Sequence, residues 1–185
     1  MKNSLILIIF AFVVGCTETA ADRYLVDSPE ITERQRIGYS SVEIRDVSLP
    51  AYAASDEISV QDETGKIVSD GSVLWADTPE RAVSLQLTRA LTQLTRARIA
   101  SEPWPFEEFP QARLDVRFET MLPRNDGVYQ IEGQYFVSSE EGRERAGLFD
   151  LNVDLPLDAG PAQIAQARGI AIAQLAQLIA SKGLR

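Results

Sequence analysis

Four pairs of adjacent carboxylates are the first residues in this chain that could do chemistry: Asp56/Glu57, Asp62/Glu63, Glu107/Glu108 and Glu140/Glu141. Two carboxyl groups at a suitable separation can divide the roles of general acid and general base or nucleophile, as in glycoside hydrolysis. Each pair here falls in a turn or at a strand start, where neighbouring acids are solvated, so no catalytic role is assigned to them. The chain has no histidine, which removes the commonest general base and the commonest metal ligand together. It has no G-x-S-x-G, no C-x-x-C, no glycine-rich phosphate loop and no metal-spaced cluster. Its serines have no histidine to activate them. The chain is therefore expected not to be an enzyme, with no catalytic residues, no metal and no cofactor.

One residue promises covalent chemistry of another kind. Cys16 is the only cysteine. Met1-Lys2 makes a short basic start, and Leu5 to Val14 is an unbroken apolar run too short to span a bilayer as a mature helix. Gly15 precedes the cysteine. A charged start, an apolar core and a small boundary residue describe a secretory signal peptide. The V-V-G-C ending resembles a bacterial lipobox, in which the cysteine becomes the lipidated first residue of the mature protein. An ordinary signal peptide with a chance cysteine, or an uncleaved anchor, are the alternatives. The position of the sole cysteine directly after the small residue favours the lipobox. Anchoring takes more than one acyl chain, which a triacylated cysteine supplies. Thr17, rather than an aspartate, implies by the same resemblance delivery to the outer membrane. The expected organisation is a signal peptide over 1–15, a lipidated tether over 16–21 and a single domain over 22–185. With 45% hydrophobic and 24% charged residues the chain is ordinary globular material. Its net charge of −9 argues against a nucleic-acid partner.

The elements of that domain are organised around Val73–Arg96. Val73-Leu74-Trp75 is a short apolar run. Thr78 then offers an N-cap and Pro79 the first helical position, where a missing N–H costs nothing. Asp77 with Glu80 offers a second capping register. Val83, Leu87, Ala90, Leu91 and Leu94 recur on one helical face, and the helix should run to about Arg96. Before it, Arg23–Val26, Ser41–Val47 and Asp56–Gln61 read as strands. The second shifts phase near Asp46, which could be a bulge. Asp62 to Gly65 reads as a turn, after which Lys66–Val68 should pair back. Asp70-Gly71 reads as a further turn before Ser72–Trp75. Ile99-Ala100 is a brief strand.

From Ala112 the pattern is period two: Ala112, Leu114, Val116, Phe118 and Thr120 alternate with charged residues. Asn125-Asp126-Gly127 signals a hairpin, followed by Tyr129, Ile131, Gly133, Tyr135 and Val137 on one face. Glu140-Glu141-Gly142 turns again, and Phe149, Leu151, Val153 and Leu155 face inward. Gly160-Pro161 opens a last helix, expected to reach about Lys182 with Gly183 as its C-cap. Ile164, Ala171, Leu175, Leu178 and Ile179 form its stripe. Arg168 falls inside that stripe; it should either snorkel along the surface or pair with a carboxylate. The fold class is α+β, a two-layer sandwich in which a mainly antiparallel sheet is covered on one face by two helices. The first helix should seat on the face bearing Leu114, Val116, Phe118, Phe149, Leu151 and Val153.

Two features could meet a partner. The first is S-E-P-W-P-F-E-E-F-P, where Pro103, Pro105 and Pro110 forbid regular structure. Trp104, Phe106 and Phe109 there must either cap the core, the preferred reading, or form a contact surface. The second is Arg81, Arg89, Arg96 and Arg98 around the first helix, either a solvated face or a contact for an acidic partner, with Arg89 singled out.

The lipobox at Cys16, R-Y-L-V just after it, L-P-A-Y-A-A-S-D-E-I, W-A-D-T-P-E-R-A-V-S-L-Q-L-T-R-A-L and the closing meander and helix resemble the PqiC-type lipoproteins. These are auxiliary lipoprotein components of ABC-type and MCE-type intermembrane transport systems. The resemblance covers most of residues 22–182 and carries no catalytic residues. It implies a periplasm-facing outer-membrane lipoprotein of a Gram-negative bacterium, held in the membrane through lipidated Cys16. It further implies an MCE-type transport protein as partner, a homo-oligomeric ring and a part in envelope integrity. Trp75 and Pro79, in its most distinctive stretch, should fix the strand-to-helix corner. The alternative function is a stand-alone periplasmic lipoprotein that binds an apolar ligand itself.

Overall fold

The structure, a computed structural model, describes residues 20–140 and 142–185. The signal peptide over 1–15 and Cys16 lie outside the described residues. Ten elements follow in order: β1 (Asp22–Tyr24), β2 (Ser41–Ile44), β3 (Glu57–Gln61), β4 (Ile67–Trp75), α1 (Pro79–Leu94), β5 (Arg98–Ser101), β6 (Ala112–Pro123), β7 (Val128–Ser139), β8 (Arg145–Asp154) and α2 (Pro161–Leu178). α2 continues into a π-helical turn at Ile179–Gly183.

The α+β reading holds, with two mixed sheets in place of one. A five-stranded sheet has the order β5-β2-β6-β7-β8, and a three-stranded sheet the order β1-β4-β3. β6, β7 and β8 form the expected antiparallel meander, turning at Gly127, where φ is 85° and glycine carries no Cβ penalty. The β1–β4, β2–β5 and β2–β6 pairs are parallel. Parallel neighbours are joined by long crossovers, which leave no local turn signal in the sequence.

The alternation breaks where glycine admits a bulge. The β6–β7 register shifts between Phe118 and Thr120, opposite Gly133. Met121, not Thr120, then takes the inward position, 5% exposed. A Cβ on Gly133 would lie 2.1 Å from the Arg117 carbonyl. The bare Cα lets Phe118 and Phe149 meet edge to face at 5.3 Å. Likewise Asp70-Gly71 is no turn. β4 runs straight through it, and the β3–β4 register slips between Glu57 and Ser59. The Asp70 carboxylate accepts from the Ser72 N–H and hydroxyl, so the local turn chemistry survives as a bulge inside a strand.

The helices pack differently from expectation. α1 lies against α2, β5 and β2, while α2 covers β7 and β8. The stripe of α1 is buried as read, with Val83, Leu87, Leu91 and Leu94 fully enclosed. It ends at Leu94, two residues before Arg96. Thr78 occupies the N-cap without a side-chain bond; the Asp77 carboxylate instead takes the Thr78 N–H at 2.9 Å. α2 is buried on nearly every side, since it lies between α1 and the large sheet. Gly183 does not act as a left-handed C-cap, as it belongs to the π-helical turn. Its size is set by packing: a Cβ there would come within 2.8 Å of the Tyr135 ring. Gly169 similarly admits the Asp27 carbonyl, 2.1 Å from where its Cβ would stand.

Candidate functional site

β4, α1 and α2 converge at one corner, and a cation fills it. Arg168 of α2 is 1% exposed. Its guanidinium sits 4.5 Å from the centroid of the Trp75 ring, and Nη2 donates to the Pro79 carbonyl at 3.1 Å. Arg168 therefore neither snorkels nor joins an ion pair among the described residues. The aromatic face and one backbone carbonyl take the place of water. Its Nε has no hydrogen-bond partner. Burial pushes the Arg168 guanidinium below its ordinary pKa, opposed by Tyr129 and Glu80. Tyr129, wholly buried, is pushed up to about 12 by burial, with the Arg168 charge working against the rise.

The corner is fastened from the N-terminal side. Arg23 Nη1 donates to the Trp75 carbonyl at 3.2 Å, and the Ala76 N–H to the Tyr24 carbonyl at 3.0 Å. Gln86 Nε2 on α1 donates to the Val26 carbonyl at 3.3 Å, while Gln86 Oε1 is buried without a partner. Tyr24, Val26, Trp75, Ala76, Gln86 and Arg168 help to bound a cavity of about 160 Å³. Sequence reasoning had the signal, a charge inside an apolar stripe, and offered Arg168 either the surface or a carboxylate; the structure gives it a ring and a backbone carbonyl instead.

The sequence-derived contact residues lie elsewhere. Trp104, Phe106 and Phe109 do not cap the core: Phe109 is 77% exposed and Phe106 40% exposed. The loop packs on itself. Trp104 and Phe106 meet edge to face at 4.9 Å, and Trp104 Nε1 donates to the Glu108 carbonyl at 2.6 Å. Arg98 stands 5.2 Å from the Phe106 centroid and pairs with Glu108 at 3.0 Å. The basic set divides. Arg81 pairs with Asp77 and Arg98 belongs to β5. Arg89 is exposed on α1, and Arg96 borders an open groove of about 370 Å³ with Arg34 and Arg36. Of the acidic pairs, Asp62 is a turn residue whose carboxylate accepts from Thr64 and Lys66. Those bonds, the Thr64 hydroxyl first, hold its pKa below the ordinary value. Among the described residues no group of acids could hold a metal ion, and no helix is long and apolar enough to cross a membrane.

Comparison with known proteins adds to this geometry. The model of the family described as "ABC-type transport auxiliary lipoprotein component" matches residues 24–180. A search of curated proteins returns no match. Among solved structures, a Xanthomonas campestris protein assigned to DUF330 is 15% identical with a TM-score of 0.72, covering 89% of this chain and 95% of its own. An uncharacterized protein is 18% identical with a TM-score of 0.64, covering 86% of this chain and 97% of its own. At such identities these two likenesses speak to the fold alone. The PelC dodecamer from Paraburkholderia phytofirmans, 10% identical with a TM-score of 0.47, covers 80% of this chain and 93% of its own; it is too distant to bear on assembly here.

Proposed function

The chain belongs to the family of ABC-type transport auxiliary lipoprotein components, and from that premise we propose that it is a non-catalytic accessory subunit of an intermembrane lipid transport system. In this reading Cys16 is lipidated and holds the domain on the outer membrane, facing the periplasm of a Gram-negative bacterium. An MCE-type protein supplies the conduit, and copies of the domain assemble as a ring around it. Loss of the protein weakens the envelope. The observation that carries the reading is the family match across 24–180, nearly the whole domain. The V-V-G-C motif at the expected distance supports it. Trp104, Phe106 and Phe109 are the aromatic contacts offered to the partner, and Arg89 a cationic one.

The test is a pull-down of the full lipoprotein from envelope extracts. Recovery of an MCE-domain protein, lost in a Phe106→Ser/Phe109→Ser variant, is the expected result. Recovery of no transport component abandons the reading. Fractionation of Cys16→Ser tests the anchor separately: the variant should leave the outer-membrane fraction.

A further inference from the structure

Beyond the C-terminal end of α1 the surface turns basic. Arg34, Arg36 and Arg96 line an open groove of about 370 Å³, and no carboxylate lines it. All three are exposed. Among the described residues none of them joins an ion pair, whereas Arg45, Arg81, Arg98, Arg113, Arg117 and Arg124 each hold a carboxylate. Glu33, next to Arg34 in the chain, is exposed and pairs with none of the three. In a chain of net charge −9, three unpaired cations gathered in one groove run against the composition. The negative end of the α1 dipole offers only about half a unit of charge, too little to account for three full ones.

The backbone beneath these arginines is held at both ends. The Gln35 N–H donates to the Leu94 carbonyl at 2.7 Å, and the Gly38 N–H to the Leu184 carbonyl at 2.6 Å. Between these bonds burial alternates: Arg34 and Arg36 are exposed, Gln35 and Ile37 half-buried, and Ile37 packs against the core. That is the alternation of an extended chain, which repeats side chains on one face about every 7 Å. Arg34 and Arg36 therefore share the spacing of alternate side chains on any extended partner. Arg96 follows Leu94 by two residues, so the bond from Gln35 to Leu94 also fixes its place beside them. Each guanidinium can take a carboxylate through two parallel N–H donors.

We propose that this groove docks an extended acidic segment of another protein, with carboxylates at every second residue meeting Arg34 and Arg36 and a further one meeting Arg96. The choice of a protein over a membrane surface rests on the anchored-lipoprotein reading. The tether enters at β1, which is bonded beside the N-terminal end of α1 through Tyr24 and Ala76. The groove opens past the other end of that helix, 16 residues on, or about 24 Å at 1.5 Å per residue. It is thus remote from the point of anchoring, where periplasmic proteins reach it and the headgroups of the protein's own membrane do not.

The experiment uses the full lipoprotein in a non-ionic detergent and a short labelled peptide of alternating Glu and Thr, read by fluorescence anisotropy. The peptide should bind saturably, and raising salt to about 1 M, where charges are screened within about 3 Å, should release it. A peptide of the same composition with its glutamates in one block should bind several-fold more weakly, and one of alternating Lys and Thr should not bind. Arg34→Gln/Arg36→Gln/Arg96→Gln should weaken binding by about tenfold or more, with the melting curve in place because all three side chains are exposed. Lys66→Gln/Arg81→Gln/Arg124→Gln removes the same charge elsewhere and should leave binding unchanged. The proposal is overturned by no saturable binding, by equal binding of the block peptide, or by an equal loss in the charge-matched variant. Displacement of the peptide by an equal concentration of glycerol phosphate would assign the groove to a lipid headgroup and overturn it too. So would dissociation of self-assembled protein in the groove variant, which would assign the groove to a second copy. The pull-down for an MCE-domain protein uses no peptide, so the transport reading and the groove can fail separately.

Discussion

Arginine lies over an aromatic ring both at the corner and in the proline loop, and the two cases have opposite consequences. At the corner, Arg168 faces Trp75 at 4.5 Å, 1% exposed, with partners on β4 and α1 that are 89 or more residues away in sequence. In the proline loop, Arg98 faces Phe106 at 5.2 Å, its side chain 49% exposed, with partners no more than ten residues away. The first contact closes the tertiary structure, because nothing local could hold that geometry. The second organises only its own loop, and water competes with it throughout. Burial, more than the type of contact, decides what the same chemistry contributes.

The contrast can be broken or sharpened by substitution. Trp75→Ala should have the largest effect, a loss of about 3–5 kcal/mol in denaturant unfolding, because a buried aromatic and the wall behind Arg168 disappear together. A change below about 1 kcal/mol would mean that the corner is not closed as described. Arg168→Ala comes next, at about 2–4 kcal/mol for truncating a long buried side chain. Arg168→Met should stay within about 1 kcal/mol of wild type, since replacing a buried charge by an apolar chain of similar length is often neutral. If Arg168→Met is as damaging as Arg168→Ala, charge rather than volume holds the corner.

Tyr129 provides a pH test of the same region. Its folded-state pKa is raised to about 12 from 10. Between those values the unfolded chain loses its proton first, so stability falls as pH rises, by about 1.4 kcal/mol per unit. Tyr129→Phe should flatten that part of the stability curve; an unchanged slope would place the buried hydroxyl elsewhere. Smallest of all, Phe109→Ser should move the melting curve by no more than about 0.5 kcal/mol. A larger loss would show that the loop, like the corner, carries part of the fold.

How far the sequence foretold this depends on the range of the signal. The β6–β8 meander was legible because period-two alternation and Gly127 act over neighbouring residues. The α1 stripe was legible for the same reason, although its seat was not: which sheet face a helix covers depends on crossovers. At Asp70-Gly71 the turn chemistry was read correctly and overridden by the pairing of β4 with two neighbours. Gly183 was read as a cap, yet it is small because of Tyr135, a residue distant in sequence. Arg168 was visible as an anomaly in an apolar stripe. What it faces was not, since Trp75 and Pro79 reach it only through the packing of three elements. The proline loop was legible as irregular; its exposure was not, because three prolines fix the backbone without saying where it lies.

The fastening of β1 to this corner has a mechanical consequence. Tyr24, Leu25 and Val26 form one wall of the cavity, and Arg23 and Tyr24 are bonded to Trp75 and Ala76. Any tension reaching the chain ahead of Asp22 is borne first by that three-residue parallel ladder and the Arg23 bond. The load path therefore runs through the cavity wall before it reaches either helix.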